Sequence, residues 1–130
     1  VYEQVDKNID FDHREDFPDR FHDMHRFSGR WTGLLMIEDA GSYEFSLHSD
    51  DGHRLVVDGE TLIDRWDKGP SRVEVVTILQ PGAHELRIEW QEDGGAASVT
   101  ARWRKSDDSW ELLGAPEVKT PPWPGITVRP

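Results

Sequence analysis

From Phe27 onward, apolar and polar residues alternate one by one in short runs. In the run 42–47, Tyr43, Phe45 and Leu47 are apolar, and the residues between them are polar. A period of two places successive side chains on opposite faces of a strand, so this run predicts a half-buried β-strand. The same alternation recurs at Leu55 and Val57, at Val73, Val75 and Leu79, at Leu86, Ile88 and Trp90, and at Val99, Ala101 and Trp103. The region predicts seven or eight strands in total.

Short turn sequences separate these runs. They combine Gly with Asp or Pro, residues that tolerate a positive φ or preset a turn. The turns are Asp51-Gly52, Asp58-Gly59, Lys68-Gly69-Pro70, Pro81-Gly82 and Asp93-Gly94-Gly95. No helical run of about 10 to 15 residues lies between the strands, so the pattern predicts an all-β antiparallel sandwich or barrel with little helix. Residues 1–26 lack the alternation and predict loop with short extended pieces.

The composition supports one folded core. The chain has 130 residues, which is the size of a single domain. We expect this domain over residues 1–115, followed by a Pro-rich arm or linker over 116–130. Because the chain does not begin like a complete protein, we expect it to be part of a larger one.

The six Trp divide into two groups. Three fall at alternating strand positions, where we expect core residues: Trp31, Trp90 and Trp103. The other three lie outside the alternation: Trp66, Trp110 and Trp123. An exposed aromatic ring stacks on the C–H face of a sugar ring, so the second group contains the candidate sugar contacts.

Charge and cysteine content exclude several functions. The 26 Asp and Glu against 15 Lys and Arg give a net charge of -11, which repels nucleic acid and anionic membrane surfaces. No apolar run approaches the ~18 residues of a membrane span, so we expect no membrane insertion. The absence of Cys excludes disulfides, thiolate zinc sites and thiol nucleophiles. We expect a monomer.

No catalytic motif is visible, and we expect no enzyme. There is no Gly-x-Ser-x-Gly sequence, and the Gly-rich stretch 93–95 neither opens a helix nor precedes a Lys. His22 and His25 are spaced for one metal only if a third ligand arrives from elsewhere, and polar surface is the favoured interpretation.

Two pairs of adjacent aspartates stand out. Asp50 and Asp51 end a predicted strand and precede Gly52, and two neighbouring carboxylates are suited to Ca²⁺, which takes six to eight oxygens. The alternative is a plain Asp-Gly turn, and the pair alone does not decide between them. Asp107 and Asp108 lie between polar residues and predict a solvated hairpin.

Several ordered motifs resemble one known family. The chain is similar to the protective-antigen-type domain, often called the PA fourteen domain, over roughly residues 9–104. The resemblance rests on these stretches: Phe27-Ser28-Gly29-Arg30-Trp31-Thr32-Gly33, Gly41-Ser42-Tyr43-Glu44-Phe45, Ser49-Asp50-Asp51-Gly52-His53-Arg54-Leu55-Val56-Val57-Asp58-Gly59, Leu62-Ile63-Asp64-Arg65-Trp66, Leu79-Gln80-Pro81-Gly82-Ala83-His84, Leu86-Arg87-Ile88-Glu89-Trp90 and Trp103. It implies a β-barrel or sandwich, without the family's usual first strand, which leaves a sheet edge open.

The resemblance also implies a site. In lectin members, an Asp-Asp pair joined by a cis peptide holds calcium, which coordinates sugar hydroxyls, and Asp50 and Asp51 stand at that position. A second loop gives those lectins an Asn, but residues 91–96 contain none, so Glu92 or Asp93 is expected to complete the calcium ligands.

The resemblance thus implies a non-catalytic, calcium-dependent carbohydrate-binding module of a larger extracellular or cell-surface protein. Its partner is a glycan or polysaccharide, contacted by Asp50, Asp51, Trp66 and Trp110. The alternative is a structural or protein-interaction module whose aspartates only shape their loop.

Overall fold

A computed structural model describes residues 4–6, 9–11, 27–66, 68–92, 98–113 and 126–129. The strands are β1 (Gln4–Asp6), β2 (Asp10–Phe11), β3 (Phe27–Ile37), β4 (Gly41–Asp50), β5 (His53–Val57), β6 (Glu60–Asp64), β7 (Ser71–Leu79), β8 (Gly82–Glu92), β9 (Ser98–Lys105), β10 (Glu111–Leu112) and β11 (Ile126–Arg129). The all-β prediction is confirmed. Within the described residues, no helix is long and apolar enough to cross a membrane.

The strands form two antiparallel sheets. The larger has the order β1-β11-β3-β8-β5-β6, and the smaller has the order β10-β9-β4-β7, with β2 also pairing with β9. The run β3 to β9 has seven strands, in agreement with the seven or eight expected from the alternation, and the short strands at both ends add to that number.

The chain changes sheets repeatedly, and this sorts its turns between two rims. At one rim β4, β6 and β8 end and β5, β7 and β9 begin, as the pairs Asp50↔Ser98, Ser49↔Ser71 and His53↔Trp90 show. We call this the aspartate rim because β4 ends there at Asp50. The opposite rim carries the turns 38–40, 58–59, 80–81 and 106–109.

The core lies between the sheets and consists of the inward residues of the alternating runs. Trp31 and Trp90 are buried with their ring centroids 6.2 Å apart, as predicted. Trp103 is only partly buried and stacks on Tyr43 near the opposite rim. Each predicted strand contributes its alternate apolar residues to this core.

Residues 126–129, within the expected C-terminal arm, form a strand. Strand β11 pairs with β3 over Arg30–Thr32, and β1 pairs with β11. This edge of β3 is therefore covered over this stretch. Ile126, Thr127 and Val128 are β-branched and suit a strand, a signal that the preceding Pro-rich sequence obscured.

The turn between β5 and β6 follows its sequence. Asp58 and Gly59 have φ values of 51° and 79°, the conformation of a type I′ hairpin, which favours Asp-Gly. The side chain of Asp58 accepts hydrogen bonds from the backbone N–H of Glu85 (2.8 Å) and from His84 Nδ1 (2.6 Å). This turn is thereby held to β8.

His84 is held between two acceptors. Its Nδ1 donates to the Asp58 carboxylate, and its Nε2 donates to Gln80 O at 2.7 Å. Burial lowers the pKa of His84, but the hydrogen bonds to Asp58 and Gln80 and the Asp58 charge outweigh it and raise the pKa. For Asp58, burial raises the pKa, but the bonds from His84 and Glu85 outweigh it and lower the pKa.

We predict that His84→Asn lowers the free energy of unfolding by an amount that depends on pH. The raised pKa of His84 stabilises the fold below its unfolded value of 6.5, and this stabilisation is lost as the pH rises through the folded pKa. The lowered pKa of Asp58 stabilises above 3.8 and is lost as the pH falls further. Urea unfolding of the wild type and of His84→Asn should show the largest difference in the free energy of unfolding between about pH 4 and 6.5. It should stay near 1 kcal/mol or less because Asp58 is half exposed. A cost independent of pH would contradict this.

Candidate functional site

Asp50 and Asp51 lie together at the aspartate rim. Asp50 is the last residue of β4, and Asp51 begins the connection to β5. Both residues are half-buried, and the peptide bond between them is cis, as the resemblance to the lectin members implies. The pair is therefore placed at the rim of the sandwich, where both residues are partly exposed.

Hydrogen bonds hold the backbone of this pair against β8. Trp90 Nε1 donates to Asp50 O at 3.0 Å, and Asp51 N donates to Gln91 O at 3.0 Å. Gln91 N donates in turn to Gly52 O at 2.9 Å. The loop that carries the two carboxylates is thus fixed to the end of a central strand.

Two buried side chains hold the loop from inside. The Ser49 hydroxyl donates to Asp51 O at 2.5 Å and lies 2.7 Å from His53 Nδ1. A carbonyl oxygen only accepts, so the hydroxyl hydrogen points to Asp51, and Nδ1 must donate to the hydroxyl oxygen. Burial, followed by the charges of Arg65 and His48, lowers the pKa of His53 to about 4. His53 is therefore neutral at pH 7.

The two carboxyl groups are neighbours and interact. Burial raises the pKa of Asp50, and the hydrogen bond to the Asp51 carboxyl and its negative charge raise it further, against a lowering by His48. The part of this shift that comes from the Asp51 charge reflects the repulsion between two neighbouring anions. A cation between them relieves that repulsion.

The donors fit a hard cation, and they are incomplete. Carboxylate oxygens suit Ca²⁺, but two carboxylates supply at most about four of the six to eight oxygens that Ca²⁺ takes. Among the described residues, no three or more His, Cys, Asp or Glu side chains come together as a metal site. Glu92 ends β8 next to Gln91, whereas Asp93 lies outside the described residues, as do His22 and His25.

Trp66 shares the rim with the aspartates. It follows Arg65, whose backbone N–H donates to His53 O at 2.8 Å, two residues beyond Asp51. The Arg54 guanidinium lies 4.8 Å from the centre of the Trp66 ring and is paired with Glu89 and Asp64. One ring face is thus covered by a fixed cation.

Trp110 is at the opposite rim. The Arg104 guanidinium lies 4.3 Å from its ring centre, and Arg104 bonds to Glu44 at 2.8 Å. From Glu44 to Asp50 along β4 is about 20 Å. The structure does not bring Trp110 to the aspartates, because β9 runs away from their rim before the chain reaches it.

Two hollows of the described structure lie away from the aspartate pair. One, of about 270 Å³, is at the opposite rim beside Tyr43, Trp103 and Asp108. Another, of about 430 Å³, lies on the outer face of the larger sheet beside Leu34 and Arg87. Neither hollow is lined by Asp50 or Asp51.

Sequence reasoning missed Ser49, His53 and Trp90 as supports of this site. The available signal was a polar residue at a core position, since His53 continues the inward series of Leu55 and Val57. Which group each side chain contacts depends on pairing between strands that are distant in sequence.

We predict that Trp90→Phe destabilises the protein more than Trp103→Phe does. Both changes remove the same atoms, but Trp90 Nε1 donates to Asp50 O, whereas Trp103 Nε1 has no hydrogen-bond partner in the described structure. Leaving the Asp50 carbonyl without its donor should cost about 1 to 3 kcal/mol. Chemical denaturation of both variants measures this difference. Equal losses would contradict the role given to Trp90.

Comparison with known proteins identifies related chains. The sequence matches the family described as PA14 domain over residues 1–115. It is 29% identical over 117 residues to the anti-sigma-I factor RsgI3 of Acetivibrio thermocellus, covering 88% of this chain and 18% of that protein. The chain thus spans less than a fifth of this curated relative.

Two solved structures are similar in fold. An anti-sigma factor domain-containing protein has a TM-score of 0.79 and 30% identity, covering 88% of this chain and 41% of the other. The PA14 sugar-binding domain from an RTX adhesin has a TM-score of 0.68 and 23% identity, and the match covers 83% of this chain and 72% of the other. At 23% identity, the second likeness establishes the fold alone.

Proposed function

The chain belongs to the PA14 domain family, and we propose that it is a non-catalytic, calcium-dependent carbohydrate-binding module of a larger extracellular protein. The observation that carries the proposal is the pair of neighbouring, half-buried Asp50 and Asp51 on a loop held by hydrogen bonds at the rim. The sugar-binding PA14 domain of the RTX adhesin supports the choice of ligand.

Different residues of the chain would bind the cation and the sugar. Asp50 and Asp51 hold the cation, and we propose Glu92, the last residue of β8, or Asp93, which follows it in the sequence, as a further oxygen donor. Bound Ca²⁺ supplies a centre that can accept two neighbouring sugar hydroxyls. Trp66, at the same rim, offers an aromatic surface for the sugar ring. Trp110 is left out of this site because of its distance.

The contact between Ser49 and His53 is not a catalytic pair. A hydroxyl and an imidazole 2.7 Å apart have the spacing of a nucleophile and its base. However, both residues are fully buried, and the hydroxyl hydrogen is donated to Asp51 O. A substrate cannot reach this hydroxyl, which supports a non-catalytic domain.

A structural or protein-interaction module is the second candidate. The relatives near 30% identity are anti-sigma factor proteins, and this chain corresponds to a minor part of each. In such a protein, the domain would connect or present neighbouring domains. The aspartates would then only shape the loop between β4 and β5.

We predict that millimolar Ca²⁺ raises the melting temperature of this domain. A ligand that binds only the folded state stabilises it by RT ln(1 + [L]/Kd), about 2.7 kcal/mol at 100 times Kd. That corresponds to a shift of several degrees in differential scanning calorimetry. The double variant D50N/D51N should lose the shift.

The chain provides a matched control in its other aspartate pair. D107N/D108N removes the same two charges from an exposed turn at the opposite rim, where Asp107 has a φ of 73°, which Asn tolerates. This variant should keep the Ca²⁺ shift. The proposed ion site is contradicted if Ca²⁺ does not raise the melting temperature of the wild type, or if both double variants lose this shift equally.

We further predict sugar binding that needs the ion. On a glycan array, binding by the wild type should disappear with EDTA and return with excess Ca²⁺. Trp66→Ala should weaken it, whereas Trp110→Ala should leave it unchanged. A protein that binds Ca²⁺ but no glycan would favour the structural or protein-interaction role.

A further inference from the structure

We propose that His53 and Ser49 are positioning residues that orient the Asp50–Asp51 pair for its cation, an inference that rests on the proposed function. Neither residue would touch the ion. Both are fully buried, at inward positions next to the apolar Leu47 and Leu55. An apolar residue would suit such positions better unless the polar groups serve a defined purpose.

That purpose is a directed relay of hydrogen bonds. His53 Nδ1 donates to Ser49 Oγ, and Ser49 Oγ donates to Asp51 O. A serine hydroxyl rotates to suit its neighbours, so the hydrogen bond from the imidazole fixes which way its own hydrogen points. Hydrogen bonds in such a chain also strengthen one another.

The relay completes the hold on Asp51. Its backbone N–H bonds to Gln91 O on β8, and its carbonyl bonds to Ser49 on β4. With the groups on both sides of its Cα held, the direction of the Cα–Cβ bond that leads to the carboxylate is fixed as well. Removing the relay would release one side of Asp51, next to the neighbouring Asp50 carboxyl.

The imidazole acts through one nitrogen only. In the described structure, His53 Nε2 is buried and has no hydrogen-bond partner. The donor at Nδ1 is therefore what distinguishes His from an apolar residue here. Asn can place an amide N–H near the position of Nδ1, whereas Leu fills the space without a donor.

The test compares His53→Asn, His53→Leu and Ser49→Ala with the wild type by calorimetric titration with Ca²⁺. Ligand-supporting residues typically contribute 10- to 100-fold to metal affinity, so His53→Leu and Ser49→Ala should weaken Ca²⁺ binding about tenfold or more. His53→Asn should remain within about threefold of the wild type, because its amide restores the bond.

Stability without metal separates positioning from folding. Neither Asn nor Leu matches both the shape and the polarity of His, so both variants should melt at lower temperature without Ca²⁺, while only Leu loses affinity. Terbium luminescence lifetimes in H₂O and D₂O count the waters on a bound ion and should show more of them in His53→Leu. If affinity follows the melting temperature, with Asn as weak as Leu, the positioning role is overturned.

The tautomer of His53 gives a test that needs no metal and no variant. Long-range ¹H–¹⁵N NMR of the wild type at pH 7 should show a neutral ring with its proton on Nδ1. A proton on Nε2 would overturn the relay while leaving the calcium proposal intact. A wild type that binds no Ca²⁺ would overturn both proposals, whereas equal binding by all variants would overturn only the positioning role.

Discussion

Trp90 joins the core of the sandwich to its aspartate rim. Its ring packs against Trp31 between the sheets, and its indole N–H donates to the carbonyl of Asp50. The packing gives the end of β8 a fixed position, and the backbone of Gln91 then holds Asp51 and Gly52. Because these contacts follow one another along β8, the geometry of the rim depends on how this strand packs.

The fold was accessible from the sequence where a local pattern decides the structure. The alternation at Tyr43, Phe45 and Leu47 predicted both a strand and its buried face, and Asp58-Gly59 predicted its hairpin turn. Strand β11 was not accessible in this way. Its β-branched residues follow a Pro-rich stretch, and its place beside β3 depends on contacts with residues nearly a hundred positions earlier.

The candidate site, too, could be predicted only where its residues are close together in the sequence. The motif around Asp50 and Asp51 was recognisable because its residues are adjacent. Which Trp shares their rim was not, since Trp66 and Trp110 look alike in sequence and only the path of the strands separates them. The relay through Ser49 and His53 crosses between the two sheets, and no local pattern records such a contact.

The central claim is that two neighbouring carboxylates at this rim form a cation site. A crystal structure of the domain grown in millimolar Ca²⁺ tests it most directly, because the ion and all of its ligands are seen together. We expect an ion bound by oxygens of both Asp50 and Asp51, with the backbone bonds to Trp90 and Gln91 unchanged. Carboxylates turned away from each other, with only water between them, would contradict the account.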